Sequence, residues 1–410
     1  MRYGFLISLF LISLNLSAQI SAPGSVAARI ISYPSLPGEK DPVFIYCNSD
    51  GVTRGTLFAE SPGGTGPFDF SWDRWNVSTD NFDIHIKTES GVMNSTADTL
   101  PEGGYKVTIS GGYDTTLIAW IAMDEKPLAE AKLQNPLKNC DYVALDGTAE
   151  ATVTDFTYYD ISSGAQLSLP NELTFMWSST PESVIPYPDI DIDPISYSPP
   201  LDDVTYTLKV NTLGCSSEAS FYYESIHVKA DFSVDPSSGE APLTVTFTDE
   251  SVRGYYYEWD FGDDTTPSTL KDPLPHTYYR PGEYSVRLTI ESDRGCIDSI
   301  RFDKITVEHS DLKIPNVFTP DGDAYNRTFM VYSKSLRYLS VEVYSQSGLK
   351  VYGFSGEGES LRNWTGWDGT INNSSRKASP GVYFYIIRAL GWDDVKYDGK
   401  EYRGFVYLYR

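Results

Sequence analysis

The sequence predicts an all-β protein: tandem immunoglobulin-like β-sandwiches followed by a further β-sandwich at the C-terminal end. Three observations predict it. Aromatic residues are abundant, with 30 Tyr, 19 Phe and 8 Trp, and rings of this kind suit a pleated, half-buried surface. No window carries a long apolar repeat of helical period. Apolar and polar residues instead alternate over short runs bounded by Gly, Pro, Asn and Asp, the punctuation of strands and tight turns. At 410 residues the chain is too long for one ordinary domain and long enough for three or four.

Residues 1–19 read as a secretory signal peptide. Arg2 supplies the positive start, Phe5 to Leu16 the apolar run and Ser17-Ala18-Gln19 the small-residue exit. The run is too short to span a bilayer, and no later segment is apolar for long enough. The mature chain is therefore expected to leave the inner membrane with no membrane span.

Net charge is −24, unevenly placed. Residues 310–410 hold 13 Lys and Arg against 11 Asp and Glu, a net of +2, which leaves −26 for residues 1–309. Acidity on that scale repels nucleic acid and anionic membrane surfaces. It also sets the near-neutral last hundred residues apart, as a separately recognised tag would be.

Residues 20–128 read as a first sandwich. A turn cluster from Ser61 to Pro67 leads into Phe68-Asp69-Phe70-Ser71-Trp72, and Gly103-Gly104-Tyr105-Lys106-Val107-Thr108-Ile109 follows later. These blocks are similar to the repeats of large Bacteroidetes surface adhesins, without the Gly-Cys usual after the last strand. Residues 129–228 read as a second sandwich, with strands expected at 142–145, 152–158, 173–177, 205–210 and 221–228. Between them lies Asp189-Ile190-Asp191-Ile192-Asp193. If extended, it would place three carboxylates on one face about 6–7 Å apart. Such a row is either a hard-cation site or a solvated edge or loop kept acidic against strand pairing.

Residues 229–309 place three apolar faces in register: Leu243, Val245 and Phe247; Tyr257, Trp259 and Phe261; Val286, Leu288 and Ile290. Together they would close one sandwich core. The blocks Tyr257-Glu258-Trp259-Asp260-Phe261-Gly262-Asp263, His276-Thr277-Tyr278 and Pro281-Gly282-Glu283-Tyr284-Ser285-Val286 resemble a polycystic-kidney-disease (PKD) repeat. That resemblance implies a spacer or binding module of immunoglobulin-like fold.

Residues 310–410 again alternate. Leu339, Val341 and Val343 face away from Ser340, Glu342 and Tyr344, Ser347-Gly348 marks a turn, residues 382–387 read as a central strand, and Phe405 to Tyr409 as the last. The blocks Ile314-Pro315-Asn316-Val317-Phe318-Thr319-Pro320-Asp321-Gly322-Asp323, Trp367-Asp368-Gly369 and Gly381-Val382-Tyr383 appear in order, and the series closes with Gly404 to Arg410. They resemble the type B, gliding-motility-associated sorting domain of Bacteroidetes proteins exported by type IX secretion. The resemblance implies that Pro315, Asn316, Phe318, Pro320, Gly322, Trp367, Asp368, Gly369, Gly381, Tyr383, Gly404 and Arg410 form the sorting-signal motif. It also implies the type IX machinery as partner, through a type B outer-membrane adaptor and translocon, and delivery outside a Gram-negative cell or onto its outer surface.

The remaining chemistry is sparse. Asp321, Asp323 and Asn326 offer oxygen donors around glycine, the outline of a short calcium loop. Ala324 and Arg327 stand where the sorting family usually has Gly and Asp, so an ion-free Asx-turn is an equal reading. The four cysteines, Cys47, Cys140, Cys215 and Cys296, form no CxxC pair, which argues against zinc. An oxidising compartment favours a disulfide. Cys140 and Cys215 bracket one expected domain and are the favoured pair; Cys47 and Cys296 are left free and buried, or bonded to partners the sequence does not assign. The four His are scattered, and no G-x-S-x-G, H-E-x-x-H or P-loop pattern occurs. The expectation is a non-catalytic, adhesin-like or accessory protein with a glycan or surface-protein ligand, no cofactor other than calcium, and as alternative a carbohydrate-binding accessory of a polysaccharide-degrading system.

Overall fold

The computed structural model describes residues 20–48, 53–61, 66–112, 114–135, 139–322, 325–372 and 374–410. The signal-peptide reading and Asp323 fall outside them. Strands dominate, joined among the described residues by one short helix, Gly358–Arg362, and one 3-10 turn. The chain forms two compact units, residues 1–225 and 226–410.

The first unit begins with a six-stranded sheet. Its order is Ala27–Tyr33, Leu36–Asn48, Thr115–Glu125, Gly103–Ser110, Phe68–Asn76, Asn81–Val92. One face packs on a three-stranded sheet (Ile20–Ser21, Gly55–Glu60, Asn94–Leu100) around Phe70, Trp72, Tyr105, Val107 and Ile121. The other face is covered too. Ile31, Tyr33, Val43, Ile45, Trp75 and Trp120 meet Phe156, Tyr158 and Leu213 from the following module. Burial on both sides explains why Thr115–Glu125 reads Leu-Ile-Ala-Trp-Ile-Ala-Met without alternation.

That second face corrects the sequence reading of residues 152–158 as a strand of the second sandwich. Phe156–Tyr159 and Gln166–Leu169 form a hairpin whose rings lie on the first module's sheet. Asp160 fastens it. Its buried carboxylate accepts Ser35 N at 2.9 Å, Ser162 N and Ser163 N at 3.1 Å each, and the Ser35 hydroxyl. The second sandwich proper has its own core of Val143, Leu145, Trp177, Tyr206, Leu208 and Tyr223. Residues 189–193 are a turn, not an extended run: Asp191 caps the N–H of Asp193, and Asp193 caps that of Gly147, both at 3.0 Å.

The disulfide is also corrected. Cys215 is bonded to Cys47, not to Cys140, with their Cα atoms 5.7 Å apart, and no described cysteine is free. The reason is geometric. Asp124, buried on the strand Thr115–Glu125, pairs across the ladder with Cys47. Its carboxylate gathers the turn at 212–215, accepting Thr212 Oγ1 at 2.7 Å, Gly214 N at 2.9 Å and Cys215 N at 3.1 Å. The turn thus leaves its own sandwich, buries Leu213 in the first module and carries Cys215 to Cys47. Bracketing a segment in sequence says nothing about that.

In the second unit, residues from Phe232 to Glu308 form two facing sheets. One holds Phe232–Asp235, Leu243–Asp249 and His276–Tyr278; the other Ser238–Glu240, Ile297–Glu308, Gly282–Glu291 and Tyr256–Asp260. The three expected inward faces meet there: all nine residues are in the core except Tyr257, which packs against it. The last module is a sheet ordered Val317–Phe318, Arg403–Leu408, Gly381–Gly391, Leu336–Tyr344, Lys350–Glu357, with Lys396–Tyr397 added beside Gly381–Gly391. Leu339, Val341 and Val343 are fully buried, as their alternation requires.

Candidate sorting site

The twelve motif residues are spread over ninety-odd positions, and the fold brings most of them to one end of the last sheet. Trp367 is the centre. It is fully buried, its indole N–H donates to Thr370 O at 2.6 Å, and its ring meets Phe318 at 5.2 Å and Tyr383 at 5.1 Å, the latter edge-on. Asp368 makes the turn, its carboxylate accepting Thr370 N at 2.9 Å and Thr370 Oγ1 at 2.7 Å. Tyr383 reaches back to donate to Ser379 O at 2.8 Å. Asn316, following Pro315, offers its carbonyl to Tyr407 N at 2.8 Å, which starts the parallel pairing of Val317–Phe318 with the last strand.

Arg410 ties these blocks together. Its guanidinium donates to Gly369 O at 3.0 Å and Ala378 O at 3.1 Å and pairs with the Asp321 carboxylate. Gly369 allows this in two ways. Its φ is +77°, and a Cβ there would lie 3.0 Å from Pro320 Cγ and 3.1 Å from Arg410 Nη2, so both neighbours would have to give way by a few tenths of an ångström. Gly404 is needed for space, since a Cβ would come 2.5 Å from the Tyr385 hydroxyl. Gly322 donates its N–H to Thr319 O at 3.1 Å, and Gly381, at φ +149°, opens the central strand.

Of the calcium candidates, Asp321 is engaged by Arg410 and by Lys377 Nζ at 3.0 Å. The hydrogen bonds from Arg410, then Lys377, hold its carboxyl below the usual carboxylate range. Asn326 is exposed at φ +56° and uses its main-chain carbonyl to accept Thr319 N at 2.7 Å. Among the described residues no group of three or more His, Cys, Asp or Glu is arranged to hold a metal.

Residues 312–408 match the family described as the CHU_C type IX secretion signal domain, and residues 227–307 match the PKD domain family. The chain carries a PKD domain followed by a type IX secretion signal domain. Such a signal marks a protein for export to the cell surface or beyond and implies the type IX machinery as its partner. No helix among the described residues is long and apolar enough to cross a membrane. The chain is also similar to collagenase ColA of Clostridium perfringens, 29% identical over 165 residues, which is 34% of this chain but only 15% of that protein. Among solved structures it is similar to a tetra-tandem repeat from the extending region of a large adhesion protein (12% identity, 87% of this chain and 95% of that one, TM-score 0.24). A second is the N-terminal eight immunoglobulin domains of Down syndrome cell adhesion molecule (11% identity, 89% and 46%, TM-score 0.23).

The sorting domain is built onto the PKD domain rather than hung from it, which the sequence reading as a separate tag did not foresee. Ser335, buried and at φ +49°, is the knot. Its hydroxyl donates to Glu308 O at 2.6 Å and accepts Ala241 N at 3.0 Å, while its own N–H donates to Glu240 Oε2 at 3.2 Å. Trp392 donates its N–H to Ser335 O at 3.0 Å and packs against the PKD core, with Tyr279 at 5.6 Å and the Arg337 guanidinium at 5.8 Å. Asp393 closes the joint, accepting Ser310 N at 2.9 Å and Ser310 Oγ at 2.7 Å. No sequence signal marked Ser335 or Trp392.

Proposed function

We propose that this chain is a non-catalytic modular surface protein, exported through its sorting domain, whose sandwiches and PKD domain bind a protein or glycan outside the cell. One observation carries the export half of this reading. The motif residues Phe318, Trp367, Gly369, Tyr383 and Arg410 converge on one fastened end of the last sheet. Their spacing in sequence is thus a folding requirement and not coincidence. Deleting residues 310–410 and fractionating the cells is the test: the truncated chain is expected in the periplasm, and its normal appearance outside would overturn the assignment.

The non-catalytic half is supported by how the titratable groups are used. His276 stacks on Phe261 at 4.2 Å and bonds Asp263 at 2.7 Å, so it serves the PKD core. Burial would raise the Asp263 carboxyl, but hydrogen bonds from Thr265 and His276 hold it below its ordinary value. Activity screens on polysaccharides and collagen are expected to be negative. A second reading, a carbohydrate-binding accessory, is favoured by Tyr255 and Tyr256. They stand exposed side by side on the PKD domain, 4.8 Å between centroids, while Tyr257 turns to the core. Exposed rings of this kind stack on sugars, and a glycan array decides it. A third form, a subunit of a larger gliding adhesin, would show as co-purification with a giant surface protein.

A further inference from the structure

The sorting domain's sheet has two faces, and only one is spent on its core. Leu339, Val341, Val343, Tyr383, Ile387 and Val406 point inward. On the opposite face Phe384 lies across from Phe405 and Val382 across from Tyr407, and Phe384, Phe405, Tyr407 and Tyr409 are all exposed. Four rings left in water on adjoining strands are more than scattered surface hydrophobics, and a patch of that kind marks an interaction site. The two ends of the face differ. Ile386 pairs with Arg403 and Ser340 with Arg388, so guanidinium groups edge the patch on one side.

We propose that this outward face is where the type IX machinery engages the domain, through a protein surface that is apolar at its centre and carries carboxylates opposite Arg388 and Arg403. This rests on the export reading above. The rings form a rugged surface: Phe405 and Tyr407 stand edge to face at 82°, with centroids 5.5 Å apart, while Tyr407 and Tyr409 lie nearly parallel at 22° and 6.1 Å. Side chains of a protein partner interdigitate with a surface of this kind. Charge decides the partner's sign: Glu342 is already shared by Lys350 and Arg388, and Arg403 enters no ion pair among the described residues. One carboxylate shared by Lys350 and Arg388, with Arg403 unpaired among the described residues, leaves these rim groups net positive, which selects acidic surfaces and rejects basic ones. Position agrees, because the face is made by the same two strands, Gly381–Gly391 and Arg403–Leu408, whose inner side holds the motif core.

The test uses the full-length chain in its exporting host. A Phe405→Thr, Tyr407→Thr double variant keeps strand-favouring residues at outward positions, so the fold is retained, which circular dichroism and a melting curve of the purified chain check. An Arg388→Glu, Arg403→Glu variant tests the rim without touching the rings. Both are expected to accumulate in the periplasm, with surface protein reduced at least tenfold. Normal surface delivery of the folded ring variant overturns the proposal. If deletion of residues 310–410 blocks export while the ring variant travels normally, the face is wrong and the export reading stands. If the deletion also travels normally, that reading is what fails. Normal export of the ring variant together with loss of self-association, or with loss of polysaccharide binding, assigns the face to a second copy or to a glycan and overturns the proposal equally.

Discussion

Replacing Ser335 by Ala tests the joint between the PKD and sorting domains at one oxygen atom. The substitution removes the acceptor of the Ala241 N–H and the donor to Glu308 O. Ala241 is buried, so its amide is left without a partner, at a cost of about 1–3 kcal/mol. The backbone at φ +49° strains Ala as much as Ser, so nothing is recovered there. A loss of about 2 kcal/mol corresponds to roughly thirtyfold faster local opening. Hydrogen exchange on the full chain reads this directly at the Ala241 amide, while amides deep in the first unit, such as Ile121, keep their rates. Ser335→Gly makes the internal control: it loses the same bonds but relieves about 1 kcal/mol of left-handed strain, so its acceleration should be smaller. Unchanged exchange at Ala241 in Ser335→Ala would show that the serine does not hold the joint.

Four other outcomes follow from named contacts. Trp367→Ala empties a fully buried site between Phe318 and Tyr383 and is expected to cost about 3–5 kcal/mol, seen as a lowered melting temperature and loss of surface delivery. Gly369→Ala, at φ +77° with Pro320 and Arg410 against it, should cost about 1–2 kcal/mol by urea denaturation, whereas Gly348→Ala, with open space around it, costs only the φ strain. Burial, opposed by the Tyr33 hydroxyl, pushes the Asp41 carboxyl up from 3.8 to about 6; a folded value above the unfolded one means that its stabilising contribution is present below pH 3.8 and is lost as pH rises through 6. Asp41→Asn should therefore flatten the pH dependence of the first unit's melting between pH 4 and 7, a span worth up to about 3 kcal/mol. Peptide mapping of the oxidised chain should recover Cys47 joined to Cys215, and Cys215→Ser should cost about 2–4 kcal/mol; a Cys140–Cys215 peptide would contradict the Asp124 clamp.

Where the sequence was readable, local periodicity and motif order were enough. Leu339, Val341 and Val343 alternate because one side of their strand is buried, and the PKD core follows from three strands each obeying the same rule. Phe318, Trp367 and Tyr383 were marked as motif residues by the family resemblance alone; that their rings meet at one buried centre is what the fold adds. What stayed hidden depends on two modules meeting. The hairpin at 156–169 carries a strand pattern that fits either sandwich, and only the uncovered outer face with Trp75 and Trp120 decides where it goes. Asp124 looks like any acid near a strand end until the turn at 212–215 folds onto it, and with that turn goes the choice of disulfide. Ser335 is an unmarked polar residue by sequence and a buried bridge by structure. Each case has the same physics: a backbone N–H or a ring finds its partner in another module, and the pairing energy belongs to neither segment alone. Portability of the sorting signal should follow this division. A foreign passenger fused to residues 310–410 lacks the Glu308 carbonyl, the Glu240 carboxylate and the Ala241 amide that hold Ser335, and leaves Trp392 without the PKD core. A fusion beginning at residue 226 keeps all of them and should reach the surface in greater yield. Equal yields would show that the joint is a packing convenience and that the last hundred residues act alone.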